Sequence, residues 1–283
     1  MKITLVVLLF LLLYMLSRTV IMSQYNKRLK GVLQIMDHLD DEAVFYSTAE
    51  EVIQNCETPE YRNKAIVLKL FGDAYFSRRE TFQEDLESLD IESLYRTSGK
   101  ESTGDNEDSF FYLFLAVPNK LYHTGNVDLI APLYAKIDEH AEVLDSLLVA
   151  KLGKEARKFY EGTDDLGRQF FEQFLEGEYS GYRYNKHLVG IYKNIAEAFL
   201  AKLALNEGKE IPEDSVSALR IFRQSTLGSR WLKELGIELP EEEEEKPESD
   251  DPADEVQPEM LDDEAAETDS TVVPDQKDGS KDE

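Results

Sequence analysis

The sequence predicts an all-α protein with an N-terminal transmembrane helix (residues 1–22), a juxtamembrane amphipathic helix (23–40), a body of stacked helical hairpins (41–239) and a disordered acidic tail (240–283). Three observations lead there. The leading segment is almost wholly apolar, the middle carries apolar residues at steps of three and four with no partner for any strand, and the end is dominated by carboxylates.

The leading segment comes first. Ile3 to Leu16 holds one polar residue, Thr4, and after Ser17 and Arg18 the pattern resumes with Thr19, Val20, Ile21 and Met22. Twenty helical residues rising 1.5 Å each cover about 30 Å, the hydrocarbon thickness of a bilayer, when Arg18 snorkels to the headgroups. Only Lys2 precedes the run, and neither an Ala-x-Ala site nor a lipid-attachment cysteine follows it, so a retained anchor is expected over a cleaved signal peptide. Arg18, Lys27, Arg28 and Lys30 outweigh Lys2 across the run. By the positive-inside rule this predicts a single-pass protein of the cell membrane, its N-terminus out and its body cytoplasmic. Lys27, Arg28 and Lys30 serve as a topology signal alone, or also touch anionic lipid of the bilayer.

Met22, Tyr25, Leu29, Val32, Met36 and Leu39 then form a heptad seam, which suits either a first helix laid against the body or a weak homodimer through residues 22–39. Phe45, Ala49, Val52, Ile53 and Cys56 share one helical face. Thr58-Pro59 reads as an N-cap followed by proline at the first helical position. Thr81 with Glu84 reads as a capping box opening a helix that carries Phe82, Leu86 and Leu89, with a hairpin turn at Ser77 to Glu80. Residues 98–108 form a polar loop. The apolar run Phe110 to Val117 predicts a buried helix kinked near Pro118. Further helices are expected over Val127–Glu139, over Val143–Tyr160 and over Leu166–Leu175 behind a Thr163 cap. A long helix holding Tyr184, Leu188, Ile191, Ile195, Phe199 and Leu203 is stopped by Gly208. Val216, Leu219 and Phe222, then Trp231, Leu232 and Leu235 before Gly236, make the last two.

Two stretches carry a family resemblance. "LKLFGDAY", residues 68–75, resembles the first helix of a tetratricopeptide repeat, with Leu68, Phe71-Gly72 and Tyr75 in place and the small Gly72 letting two helices approach. "LYHTGNVDLIAPLY", residues 121–134, is similar to the turn and second helix of another copy, with Tyr122, Gly125 and Ala131. Glu84 stands where that pattern expects alanine, and no clean 34-residue period runs through the chain. The resemblance implies a TPR-like α-solenoid that binds protein on a concave face.

Charge narrows the function. The net charge is -27, of which residues 240–283 supply -17 from 20 acidic and 3 basic residues. No basic face able to release phosphate counterions is visible, which excludes nucleic acid as the main partner. The tail also holds five of the nine prolines and no aromatic residue, so it cannot bury enough surface to fold; it reads as a solubilising tail or, through Val256, Met260 and Leu261, as a docking segment for a basic groove. Cys56 is the sole cysteine, which rules out a disulfide framework and a thiolate zinc site. His38, His123, His140 and His187 fall in no metal-helix pattern, "SGKEST" puts Glu101 where a phosphate loop needs a hydroxyl, and no Gly-x-Ser-x-Gly elbow is present. No catalytic, cofactor or metal residue is therefore assigned. Within residues 159–187 aromatics cluster around glycine-containing turns; Phe170, Phe174 and Tyr184 suit helix faces. Tyr179, Tyr182 and Arg183 are the candidate protein-binding residues, being the types that anchor interfaces. The expected role is a membrane-anchored, non-enzymatic protein-interaction scaffold with an unknown protein partner, alternatives being an assembly factor or holdase for envelope proteins and a membrane-bound enzyme without motifs.

Overall fold

The computed structural model describes residues 29–95, 107–162 and 167–241, together with 14, 15, 17–19, 23 and 27; residue 107 is described by its backbone alone. Most of the expected anchor, residues 98–106 of the expected loop, the Thr163 cap and residues 242–283 of the acidic tail lie outside the described residues, as does Arg28; Glu107 and Asp108, expected to end that loop, open a helix instead. Among the described residues no helix is long and apolar enough to cross a membrane. They form helices and connecting turns, with no strand; one isolated parallel bridge joins Leu147 and Arg183.

A 3-10 helix at Gln34–His38 leads into α1 (Glu42–Asn55), α2 (Pro59–Phe76), α3 (Arg79–Ser88) and α4 (Ile91–Tyr95). Next come α5 (Glu107–Phe111), a π-helix (Tyr112–Ala116) and α6 (Val117–His123). They are followed by α7 (Ile130–Asp138), α8 (Ala141–Leu144), α9 (Leu148–Glu161), α10 (Arg168–Leu175), α11 (Val189–Asn206), α12 (Glu213–Arg223) and α13 (Thr226–Glu234). Neighbours in sequence pack on one another, and α2, α6, α9 and α11 add longer-range contacts between them.

Local chemistry explains most boundaries. Asp41 accepts from the Val44 amide at 3.1 Å to open α1, and Thr58 Oγ1 accepts from the Tyr61 amide at 3.4 Å to open α2, with Pro59 at the first position. Ser77 ends α2 in the left-handed region, φ 59°, a conformation usually left to glycine. The hairpin turn therefore falls at Ser77–Arg78, and α3 starts at Arg79 without a side-chain cap; Thr81 lies inside the helix instead of opening it. The stretch expected as one helix over 143–160 is broken at Asp145–Leu147. There, the Arg183 amide donates to Ser146 O at 2.8 Å and the Leu148 amide to Arg183 O at 3.0 Å. Gly208, φ 71°, and Gly236, φ 63°, follow the ends of α11 and α13.

The run before Pro118 is a buried helix, and the strain of proline is absorbed by a π-turn immediately N-terminal to it. Proline offers no N–H to the carbonyl four residues back, that of Phe114. The fully buried Tyr134 hydroxyl stands at that carbonyl, 3.3 Å from Phe114 O, and at 3.2 Å from Gly153 O. Gly153 is required for this approach, since a Cβ there would lie 2.6 Å from Phe114 Cβ.

Two apolar cores result. The larger runs from α2 to α13 and is centred on aromatic rings: Phe199 stacks on Phe171 at 5.4 Å and meets Phe159 at 5.2 Å and Trp231 at 6.2 Å. The smaller consists of Val32, Ile35, Phe45, Ala49, Tyr61, Ala65 and Leu68. Val32, Met36 and Leu39, half of the heptad seam, pack here against the chain's own helices. Gly72 of α2 lies under the Phe45 ring, whose Cε1 would sit 2.1 Å from an added Cβ, so the small residue does bring two helices together. Ala131, in the second stretch similar to a repeat, is exposed.

Candidate binding cleft

Two acid-free stretches of this acidic chain, Ser109–Val127 and Ser215–Lys233, meet in the folded body. They do so through α6 and α13, which with Tyr75 of α2 line a cleft of about 740 Å³. The periodicity of α13 sets its orientation. Gly228, Trp231 and Leu232 of α13, with Leu235 just beyond it, face inward and are buried, which leaves Thr226, Ser229, Arg230 and Lys233 on the outer face toward the cleft. Ser225 caps the helix, its Oγ accepting from the Gly228 amide at 2.9 Å. Gly228 is under the Phe222 carbonyl, 1.7 Å from where a Cβ would stand, so the α12–α13 corner is tight and the helix direction is fixed.

The α6 side is locked to α13 by a buried polar network. Asn119 donates to Glu234 Oε2 at 2.8 Å and accepts from the Tyr160 hydroxyl at 3.1 Å, while Lys120 pairs with Glu234 Oε1 at 2.6 Å. Lys120 Nζ lies 4.4 Å from the centroid of the Tyr75 ring, and the Arg230 guanidinium 5.1 Å from the same ring. Glu234 thus neutralises Lys120, whereas Arg230 and Lys233 form no ion pair among the described residues. His123 completes the wall. Burial is the main cause pushing its imidazole below the usual range; Lys120 and Lys202 add to this and Glu234 opposes it, so the ring is neutral at neutral pH. Its buried Nε2 has no hydrogen-bond partner among the described residues.

The arrangement favours anions. Arg230 supplies a planar fork for a carboxylate or phosphate, Lys233 a second positive charge, and Thr226 and Ser229 hydroxyl donors. Both oxygens of Glu234 are engaged, Oε1 by Lys120 and Oε2 by Asn119.

The residues expected to bind protein do lie in a turn between helices. Tyr179 and Tyr182 are half-buried and pack on the larger core, Tyr179 lying 5.1 Å from Phe174 and 5.2 Å from Tyr184. Arg183 has an exposed side chain, and its backbone pins the turn to the start of α9. Tyr184, expected on a core-facing helix surface, precedes α11 and is 39% exposed. Phe174 is fully buried and Phe170 partly so, as expected. Of the membrane-flanking residues, Arg18, Lys27 and Lys30 are exposed. Sequence reasoning passed over Lys120, Arg230 and Lys233 because single basic residues carry no motif. The available signal was the absence of acid around them in a chain with 58 acidic residues.

Compared with protein-family models, curated proteins and solved structures, the chain matches none.

Proposed function

We propose that this chain is a membrane-tethered, non-enzymatic adaptor of TPR-like helical hairpins, whose α6–α13 cleft holds an acidic segment of a partner protein. In this reading the apolar run Ile3–Leu16 anchors the chain with its N-terminus out, Arg18, Lys27, Arg28 and Lys30 sit at the inner headgroups, and the body works in the cytoplasm. The observation that carries the binding role is the pair Arg230 and Lys233, cations that form no ion pair among the described residues, beside an aromatic floor in a body that is otherwise acidic. Such a local field steers and orients an anionic partner against the repulsion of the whole molecule, which favours specificity over tight non-specific association.

The test is binding of a fluorescent deca-glutamate peptide to the full chain, followed by polarisation at rising salt. Salt-sensitive binding that falls about tenfold or more in Arg230→Glu/Lys233→Glu is the expected result, two reversed charges each contributing on the order of 1 kcal/mol. Equal binding by wild type and the double variant, or none by either, removes the cleft from the proposal.

A further inference from the structure

Far from the cleft in function, the corner where α1, α2 and α3 meet buries more carboxylate than cation. Asp73 of α2 is 1% exposed. The Tyr46 hydroxyl of α1 donates to Asp73 Oδ1 at 2.7 Å. On its other side Asp73 adjoins Asp85 of α3, whose carboxyl helps to raise its own. Lys69 of α2, also buried, reaches Asp85 at 3.2 Å from Oδ1 and 3.0 Å from Oδ2. Among the described residues Oδ2 of Asp73 and Oδ2 of Asp85 are both buried without a hydrogen-bond partner. The other charges acting on this corner, Glu42 of α1 and Arg78 before α3, pair with each other at 2.5 Å on the exposed rim.

The charges do not balance with both carboxyls ionised. One ammonium then faces two carboxylates, and the surplus negative charge falls on Asp73, which is buried where Asp85 is partly exposed. Nor could the two carboxylates touch, since each would offer only acceptors. A single proton resolves both problems.

We propose that Tyr46, Asp73, Asp85 and Lys69 form a buried one-proton site. Asp73 carries the proton on Oδ2 and donates it to Asp85, the charge of Asp85 is met by Lys69, and Asp73 Oδ1 accepts from Tyr46. Burial, reinforced by Asp85 and opposed by Tyr46 and Lys69, raises the Asp73 carboxyl to about 8. When the proton leaves to solvent, two carboxylates face each other between α2 and α3. Tyr46 and α2 also support the smaller core, on which Val32 and Ile35 pack, so alkaline pH loosens the part of the body that carries the segment next to the expected anchor.

The sign follows from linkage. The folded-state value lies above the unfolded one, so the folded chain holds an extra proton from about pH 4 to 8 and this contribution to stability is complete at the acid end, declines about tenfold in folding constant per pH unit, and levels off above about pH 8. Asp73→Asn keeps an acceptor for Tyr46 and a donor for Asp85 without the titration. Urea unfolding of the full chain at about pH 5.5 and 7.5 should therefore show the wild type losing about 100-fold in folding constant relative to Asp73→Asn. Infrared spectroscopy gives an independent reading. A protonated-carboxyl C=O stretch should be present in the wild type at about pH 6.5, vanish through about pH 8, and be missing from Asp73→Asn. Should that variant not fold, Asp85→Asn serves instead: Asp73 stays buried and keeps its proton, but the acceptor facing it changes from a carboxylate to an amide and the band shifts in frequency. A wild-type spectrum at about pH 6.5 without a band that Asp73→Asn removes or Asp85→Asn shifts overturns the proposal, whatever the unfolding data show.

Discussion

The two cores are built on different principles. The larger is closed by rings, with Phe159, Tyr160, Phe171 and Trp231 all arranged about Phe199, so its stability is spread over many aromatic contacts from several helices. The smaller has seven buried residues, one glycine-permitted approach between Phe45 and Gly72, and a buried polar cluster at its flank. A core of that size has few contacts to lose. Its helices are thus the natural place for local opening, while the α6–α13 cleft rests on the aromatic core and stays rigid.

Substitutions can break or sharpen this contrast. The largest effect is expected from Phe199→Ala, which removes the shared ring and should cost about 3–5 kcal/mol in chemical denaturation, affecting the whole body. Gly72→Ala should cost about 1–3 kcal/mol, since its Cβ must displace Phe45, and hydrogen exchange should rise first in residues 29–55 while α9 to α13 keep their protection. Uniform loss of protection in that variant would show the two cores to be one cooperative unit. The smallest change is a gain: Ser77→Gly relieves the left-handed φ of 59° and should raise the unfolding midpoint, with a stability gain of about 0.5–1 kcal/mol.

Helices were legible where one residue decides the local outcome. Thr58-Pro59, Gly208 and Gly236 mark boundaries by capping or by positive φ, and the face Phe82, Leu86 and Leu89 is buried as its spacing requires. Misreadings arose where tertiary partners decide. Thr81 and Glu84 satisfy a capping-box pattern, yet α3 begins earlier because the turn closes on Asp73 O through Ser77 and Arg78. The break before α9 depends on a backbone bridge from Arg183, far along the chain. Tyr184 has helical spacing to Leu188 but precedes the helix. The cleft was invisible for a related reason: its cations come from residues 120 and 230–233, and only folding places them around the Tyr75 ring.

The π-turn ahead of Pro118 reaches further than its own hydrogen bonds. One residue more per turn rotates everything downstream by about 100° relative to an unbroken α-helix. Without that offset Lys120 and His123 would point a quarter-turn away from α13, and Asn119 could not join Glu234. The proline thus acts as an indexing notch, and the cleft wall that faces Arg230 and Lys233 exists because a helix upstream was wound loosely.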